Sequence, residues 1–217
     1  MDARYTLVTG SKNNSSWSLR PWLAMKIAGL PFSEQPIPWH GPGTKAEILL
    51  HSPSGKVPAL KIEENGLTAT VWDSLAICET LAERHPEAAL WPKNAAARAQ
   101  ARSIVAEMHS GFPDLRSALS MDIARRHATP PLNDALQAQI ARIVTIWEGT
   151  LARFGGDGGF LFGHFTIADA FYAPIVTRFE TYGIHLPPTA QLYSQRILAL
   201  PAMREWELAA RAESERE

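Results

Sequence analysis

Gly55-Lys56-Val57-Pro58-Ala59-Leu60-Lys61-Ile62-Glu63-Glu64-Asn65-Gly66-Leu67-Thr68-Ala69-Thr70-Val71-Trp72-Asp73-Ser74 is the stretch on which the fold turns. Val57 to Ile62 and Leu67 to Trp72 each read as a strand. Asn65-Gly66 between them is the pair a two-residue hairpin prefers, because both central positions of its tight turn need positive φ. Pro58 at a strand opening removes a ladder donor. Two readings stay open. Pro58 starts an edge strand, or Val57-Pro58 is a cis peptide that turns the Val57 N–H and C=O outward toward an extended, peptide-like ligand. Asp73-Ser74 begins a helix over 74–84, with Leu75, Ile77 or Cys78, and Leu81 on one face. Its first turn is either capped by Asp73 or Ser74, or it forms a polar clamp for a zwitterionic amino-acid end. In the clamp the free N–H groups take a carboxylate and Asp73 takes an ammonium.

Upstream, Tyr5 to Thr9 reads as a strand, and Leu19, Leu23 and Ile27 recur at helical spacing. Pro21 fits within the first turn of that helix, which sets its start near Ser16 to Ser18. Phe32 to Trp39 is extended, and Pro36 and Pro38 make it an edge strand. Thr44-Lys45-Ala46-Glu47 has the capping-box pattern before a short helix. The order over residues 1–84 is βαβαββα, an α/β unit with an antiparallel hairpin at its edge. Residues 85–94, with Pro86 and Pro92, read as a linker.

Downstream, residues 95–217 carry only helical periodicity. Ala101, Ile104, Val105 and Met108 form one set; Leu136, Ile140, Ile143, Val144, Trp147 and Leu151 form another. The second domain is therefore all-helical. Gly155-Gly156-Asp157-Gly158-Gly159 reads as a flexible connector, since no strand precedes it and no Gly-Lys-Ser/Thr follows. Thr166 and Asp169 form a capping box with a structural role.

Composition narrows the function. The 217 residues carry 21 Lys and Arg against 22 Asp and Glu, a net charge of −1. Such a chain has no electrostatic footprint for nucleic acid or an anionic membrane. No apolar run approaches the ~18 residues of a membrane span, and the N-terminus has no signal-peptide core. A cytoplasmic setting is expected. Cys78 is the one cysteine, which excludes an internal disulfide, and its apolar helical context marks it as core. The seven histidines show no metal-ligand spacing, so no metal is expected. Ser15-Ser16-Trp17-Ser18-Leu19-Arg20 places several hydroxyls at a strand-loop-helix junction. They either cap the helix or donate to an anion or thiolate held at its N-terminus.

These motifs, in this order and with the switch from α/β to all-α, resemble the cytosolic glutathione S-transferases over nearly the whole chain. The resemblance implies a thioredoxin-like glutathione-binding domain in residues 1–84 and an electrophile site supplied by residues 95–217. It implies that Val57 pairs through its backbone with the cysteinyl part of glutathione, with Pro58 cis. Asp73 and Ser74 would hold the γ-glutamyl end, although many relatives carry Glu or Gln at the position of Asp73. Lys56 would reach the glycyl carboxylate. Ser15-Ser16-Trp17-Ser18-Leu19-Arg20 is similar to the Ser-Ser-Cys-Ser-Trp-Arg pattern of the zeta class. Aligned through Ala24 and Gly29, Ser15 takes the catalytic position, with Ser16 the alternative one residue on. Trp17 stands where that class has a cysteine, which points to serine chemistry and away from zeta-type maleylacetoacetate isomerisation. Tyr5 lies inside the first strand and suits a tyrosine-type site less well. Met108, Phe112 and Arg116 are the expected electrophile contacts. The implied activity is glutathione transfer to a small electrophile. A glutathione-dependent isomerase, peroxidase or dehalogenase, or a non-catalytic binding module, are the alternatives. A homodimer is the implied assembly.

Overall fold

The computed structural model describes residues 3–37, 41 and 43–215. Pro38 and Trp39, read above as part of an extended segment, lie outside the described residues. Strands β1 (Arg4–Thr9), β2 (Ser33–Pro36), β3 (Ala59–Glu64) and β4 (Leu67–Trp72) form one sheet in the order β2-β1-β3-β4. Helix α1 (Ser16–Ile27) crosses over between β1 and β2, which therefore pair in parallel, with Thr6 opposite Ser33. β3 is antiparallel to β1, with Leu7 opposite Leu60, and the Asn65-Gly66 hairpin adds β4 antiparallel to β3. β2 is one edge of the sheet, where Pro36 forfeits little.

Strand alternation sends side chains to two faces. Tyr5, Leu7, Leu60 and Ile62 join the main core with α1 and α3 (Ser74–Arg84). Val8 and Ala59 point the other way, into a small cluster with Ile37 and with Ile48 of α2 (Thr44–His51). The sheet is thus covered on both sides.

The second half consists of α4 (Ala95–Ser110), α5 (Pro113–Ala118), α6 (Asp134–Thr150), α7 (Ile167–Thr181), α8 (Pro188–Leu198) and α9 (Pro201–Ser214). α7 is buried almost all round, as expected of a helix that is apolar on every side. It packs against both α1 and α4, so one continuous core joins the two halves. Trp22 of α1 meets Trp206 of α9 edge-on at 4.9 Å. The Thr166–Asp169 capping box forms as read.

Several local expectations need correction. β3 begins at Ala59, not Val57, because the cis Val57–Pro58 peptide precedes the first ladder pair. Pro21 is the sixth residue of α1, beyond its first turn. Gly43, not Thr44, holds the cap position of α2, and the Thr44 hydroxyl donates to the Gly41 carbonyl. The glycine-rich segment is a close-packed joint. A Cβ on Gly158 would stand 1.6 Å from the Gly163 carbonyl oxygen, and Gly159, at φ +67°, lies against the Arg196 guanidinium. Within residues 85–94, Leu90 and Trp91 are buried, and Trp91 Nε1 donates to Glu79.

Candidate functional site

The end of β1, the start of α1 and the segment before β3 meet at Gly10. A Cβ there would lie 3.0 Å from Val57 Cγ2 and 3.4 Å from Ser15 Oγ, so any larger residue would crowd both groups. Ser15 is the N-cap of α1 and its Oγ accepts from the Ser18 N–H at 3.3 Å. The Ser15 and Ser18 hydroxyls are 2.8 Å apart, and Ser18 Oγ also accepts from the Gly10 N–H at 3.1 Å. Ser18 is buried, whereas Ser15 is half-buried and faces a cleft.

Trp17 divides that cleft into two lobes. The smaller, about 280 Å³, is lined by Ser15, Asn14, Ile48, Gly55, Lys56 and Val57. The larger, about 620 Å³, is lined by Lys56, Val57, Pro58, Trp72, Asp73, Ser74 and His109. A roomier open groove, about 740 Å³, lies on the helical domain around Phe160, Leu192 and Arg196 and contains none of these groups. Val57 borders both lobes. Its N–H and C=O have no hydrogen-bond partner among the described residues.

Asp73 sits at φ +76° and caps α3, its Oδ1 accepting from the Leu75 and Ala76 N–H groups at 2.8 and 3.3 Å. The Ser74 N–H is left free at the helix start among the described residues, and Ser74 Oγ accepts from Arg20 at 3.4 Å. The capping role is formed, and it uses one carboxylate oxygen.

The second oxygen, Asp73 Oδ2, is 3.1 Å from His109 Nε2. His109, on α4, was not found from the sequence. It lines the larger lobe and packs edge-on against Trp17 at 5.2 Å. Burial lowers its pKa, and Arg20 and Arg116 push the same way against the attraction of Asp73.

Behind Trp17 stands a row of cations. The Arg20 guanidinium, fully buried, stacks on Trp17 at 4.2 Å and on Phe171 at 4.5 Å. Burial, with help from Arg116 and Arg178, brings its pKa down to about 9. Arg116 lies 4.9 Å from the Trp17 ring and donates to the Gly111 and Met108 carbonyls. Arg178 donates to the Leu119 carbonyl and to Ser16 Oγ, and burial lowers its pKa to about 10.

Of the expected residues, the structure brings together Ser15, Lys56, Val57, Pro58, Asp73 and Ser74 on one cleft. Ser16 is buried under Arg178, away from the cleft. Met108 and Phe112 are buried in the core, and of the three electrophile candidates Arg116 reaches the Trp17 wall. Tyr5 is buried beneath the sheet, bonded to His85 and Arg84. Cys78 is fully buried, and burial pushes its thiol pKa well up. No group of three or more metal-ligating side chains occurs among the described residues.

Comparison with known proteins places this chain in a family. The chain is 27% identical to maleylacetoacetate isomerase of Pseudomonas aeruginosa, over 92% of this chain and 93% of the relative. It is 28% identical to the same enzyme of Rattus norvegicus, over 89% and 87%. A solved maleylacetoacetate isomerase from Anaeromyxobacter dehalogenans, holding dicarboxyethyl glutathione and citrate in its active site, superposes with a TM-score of 0.69. It is 24% identical and covers 97% of this chain and 93% of its own. Residues 14–84 match the glutathione S-transferase N-terminal domain and residues 130–207 match its C-terminal domain. With the cleft built between a four-stranded mixed sheet and a helical domain, the chain belongs to the glutathione S-transferase family.

Proposed function

We propose that this chain is a glutathione-dependent enzyme in which Ser15 turns the bound thiol into a thiolate for attack on a small electrophile. The observation that carries the reading is one cleft shared by the Ser15 hydroxyl, the unpaired Val57 backbone and the Asp73–Ser74 turn. Residues 1–84 bind glutathione in this reading, 85–94 join the halves and 95–217 supply the electrophile side. The Val57 N–H and C=O pair with the cysteinyl unit as an added strand would. The Ser74 N–H and hydroxyl take the γ-glutamyl carboxylate. Asp73 Oδ2 takes the ammonium, displacing His109. Lys56, exposed at the rim, meets the glycyl carboxylate.

A free thiol has a pKa of about 8.5, so a few per cent is ionised at neutral pH. The Ser15 O–H donates to the sulfur, and the α1 N-terminus adds positive potential. The Ser18 hydroxyl, 2.8 Å away, then turns to donate to Ser15 Oγ and polarises it further. The thiol proton leaves to water. The sulfur lone pair forms the new S–C bond while the leaving group departs with its bonding pair. Proximity supplies the remainder of the rate.

A second reading is favoured by the arginines. Arg20, Arg116 and Arg178 crowd behind Trp17 and Ser16. Such a wall suits an electrophile bearing carboxylates, the chemistry in the names of the isomerase relatives. The thiolate then adds to a conjugated double bond, the carbon–carbon bond rotates, and elimination returns both glutathione and the isomerised acid. Arg116→Gln is expected to lower kcat/KM about 10-fold for an unsaturated dicarboxylate while leaving a neutral aryl halide within about 2-fold. Equal losses on both would remove the second reading.

Calorimetric titration with glutathione tests the main proposal. Wild type is expected to bind, and Asp73→Ala to lose about 10- to 100-fold in affinity, the worth of one charge-assisted contact. Absence of binding at millimolar glutathione contradicts it. A homodimer and a cytoplasmic setting complete the proposal. β4 is a sheet edge with Leu67 and Trp72 exposed, a face that a second copy would cover. No helix among the described residues is long and apolar enough to cross a membrane.

A further inference from the structure

The loop that carries Ser15 is held from a distance. Glu213, in the last turn of α9, places one carboxylate oxygen against three donors of this loop. Oε2 accepts from the Lys12 N–H at 2.7 Å, the Ser11 hydroxyl at 3.0 Å and the Asn13 N–H at 3.4 Å. Two successive backbone N–H groups aimed at one anion form a nest, and here the anion is a side chain of the same protein. No cation pairs with Glu213 among the described residues, so its partners are the loop alone.

The anchored segment connects directly to Ser15. The Ser11 carbonyl accepts from the Ser15 N–H at 2.8 Å, so the nest and the cap of α1 are one hydrogen-bonded unit. The same helix adds a second tie. Trp206 Nε1 donates to the Lys12 carbonyl at 2.7 Å, and the Lys12 ammonium lies 4.9 Å from the rings of both Trp22 and Trp206 while pairing with Glu34 at 2.6 Å. Asn13 is fixed in turn by Asp122 and the Ala124 N–H, at 2.9 and 2.8 Å.

We propose that Glu213 is a positioning residue for thiol activation: α9 fixes the Ser11–Asn13 backbone and thereby the distance at which the Ser15 hydroxyl meets the glutathione sulfur. This rests on the reading that Ser15 activates the thiol. Glu213 acts through geometry, since its own charge opposes a nearby thiolate. The neutral isostere therefore keeps the effect. Glu213→Gln retains an acceptor oxygen for the Lys12 N–H, whereas Glu213→Ala leaves the nest empty.

The test is the thiol pKa of bound glutathione, followed by thiolate ultraviolet absorbance, for wild type, Ser15→Ala, Glu213→Ala, Glu213→Gln and Trp206→Phe, with glutathione affinity measured alongside. Glu213→Ala is expected to raise the thiol pKa by about half to one unit and to lower kcat near neutral pH about 3- to 10-fold. Its KM for glutathione is expected to stay within about 2-fold, because the γ-glutamyl contacts lie elsewhere, and Glu213→Gln is expected to restore most of the loss. Trp206→Phe, which removes the other α9 tie, is expected to shift the pKa in the same direction and decides the matter if Glu213→Ala does not fold. If Ser15→Ala shifts the thiol pKa and neither α9 variant does, α9 has no positioning role. If Ser15→Ala itself leaves the thiol pKa unchanged, the Ser15 reading fails instead.

Discussion

Ser15→Ala is expected to leave glutathione bound within about 3-fold of wild type but to lower turnover near pH 6.5 by about 10- to 100-fold. A hydrogen bond to a charged group contributes about 1.5–3 kcal/mol. At about 1.4 kcal/mol per pKa unit, its loss moves the bound thiol up by roughly one to two units. The α1 N-terminus remains in the variant, so activity falls rather than vanishes. The pH profile carries the signature: the rise of kcat/KM moves to higher pH, and the variant approaches wild type above the free thiol pKa. The removed group also caps α1, a cost of about 1 kcal/mol in stability that thermal unfolding measures separately. Ser16→Ala is the matched control. Ser16 Oγ only receives a hydrogen bond from Arg178, so its loss is expected to cost stability and to leave the pH profile in place. A shift in the Ser16 variant and none in the Ser15 variant would exchange their roles.

Asp169→Ala is expected to produce the largest loss of stability. This fully buried carboxylate accepts from the Thr166 N–H at 2.8 Å, the Thr166 hydroxyl at 3.1 Å, the Leu161 N–H at 3.1 Å and the Tyr193 hydroxyl at 3.2 Å. It closes the cap of α7, the helix that both α1 and α4 rest on. Truncation strands four buried donors, and each unmade buried hydrogen bond costs about 1–3 kcal/mol. Relaxation recovers part of the sum, which leaves an expected loss of about 3–5 kcal/mol in chemical denaturation. Burial also raises the carboxyl pKa to about 6 despite these donors. The folded protein then holds a proton that the unfolded chain releases at its ordinary pKa near 4. This contribution to stability is fully present below about pH 4 and is lost as the pH rises to about 6. In Asp169→Ala that slope is absent. Unchanged stability, or the same slope in the variant, would show that α7 is held by other means.

Much of the sheet side of the candidate cleft was legible because its signals are local. Asn65-Gly66 announces the hairpin, Pro58 marks the break before the strand, and Asp73-Ser74 is a helix start whatever lies opposite it. The helical side was less legible because its signals are relational. His109 was missed, yet the core periodicity of Ala101, Ile104, Val105 and Met108 already turned Met108 inward. The next residue, rotated about 100° around the helix, belongs at the edge of that face, where α4 borders the cleft. Met108 therefore lies in the core, and His109, one position further around the helical wheel, lines the cleft. Arg20 and Arg178 carried no such sign. Both are fixed by the crossing of α1 and α7, which brings residues 158 apart in the chain against the same wall, and no periodicity encodes a crossing. The glycine-rich joint misled for another reason. Its composition suits a mobile connector, but the absent Cβ atoms serve close packing against Gly163 and Arg196.

The central claim is that this cleft binds glutathione and ionises its thiol. The most direct measurement is the thiolate absorbance of the glutathione complex across pH, with the S-methylglutathione complex as the blank. The account predicts a bound thiol whose pKa lies at least one unit below the free value of about 8.5, restored to near that value in Ser15→Ala. A wild-type complex that titrates like free glutathione, or one that fails to form, would contradict it.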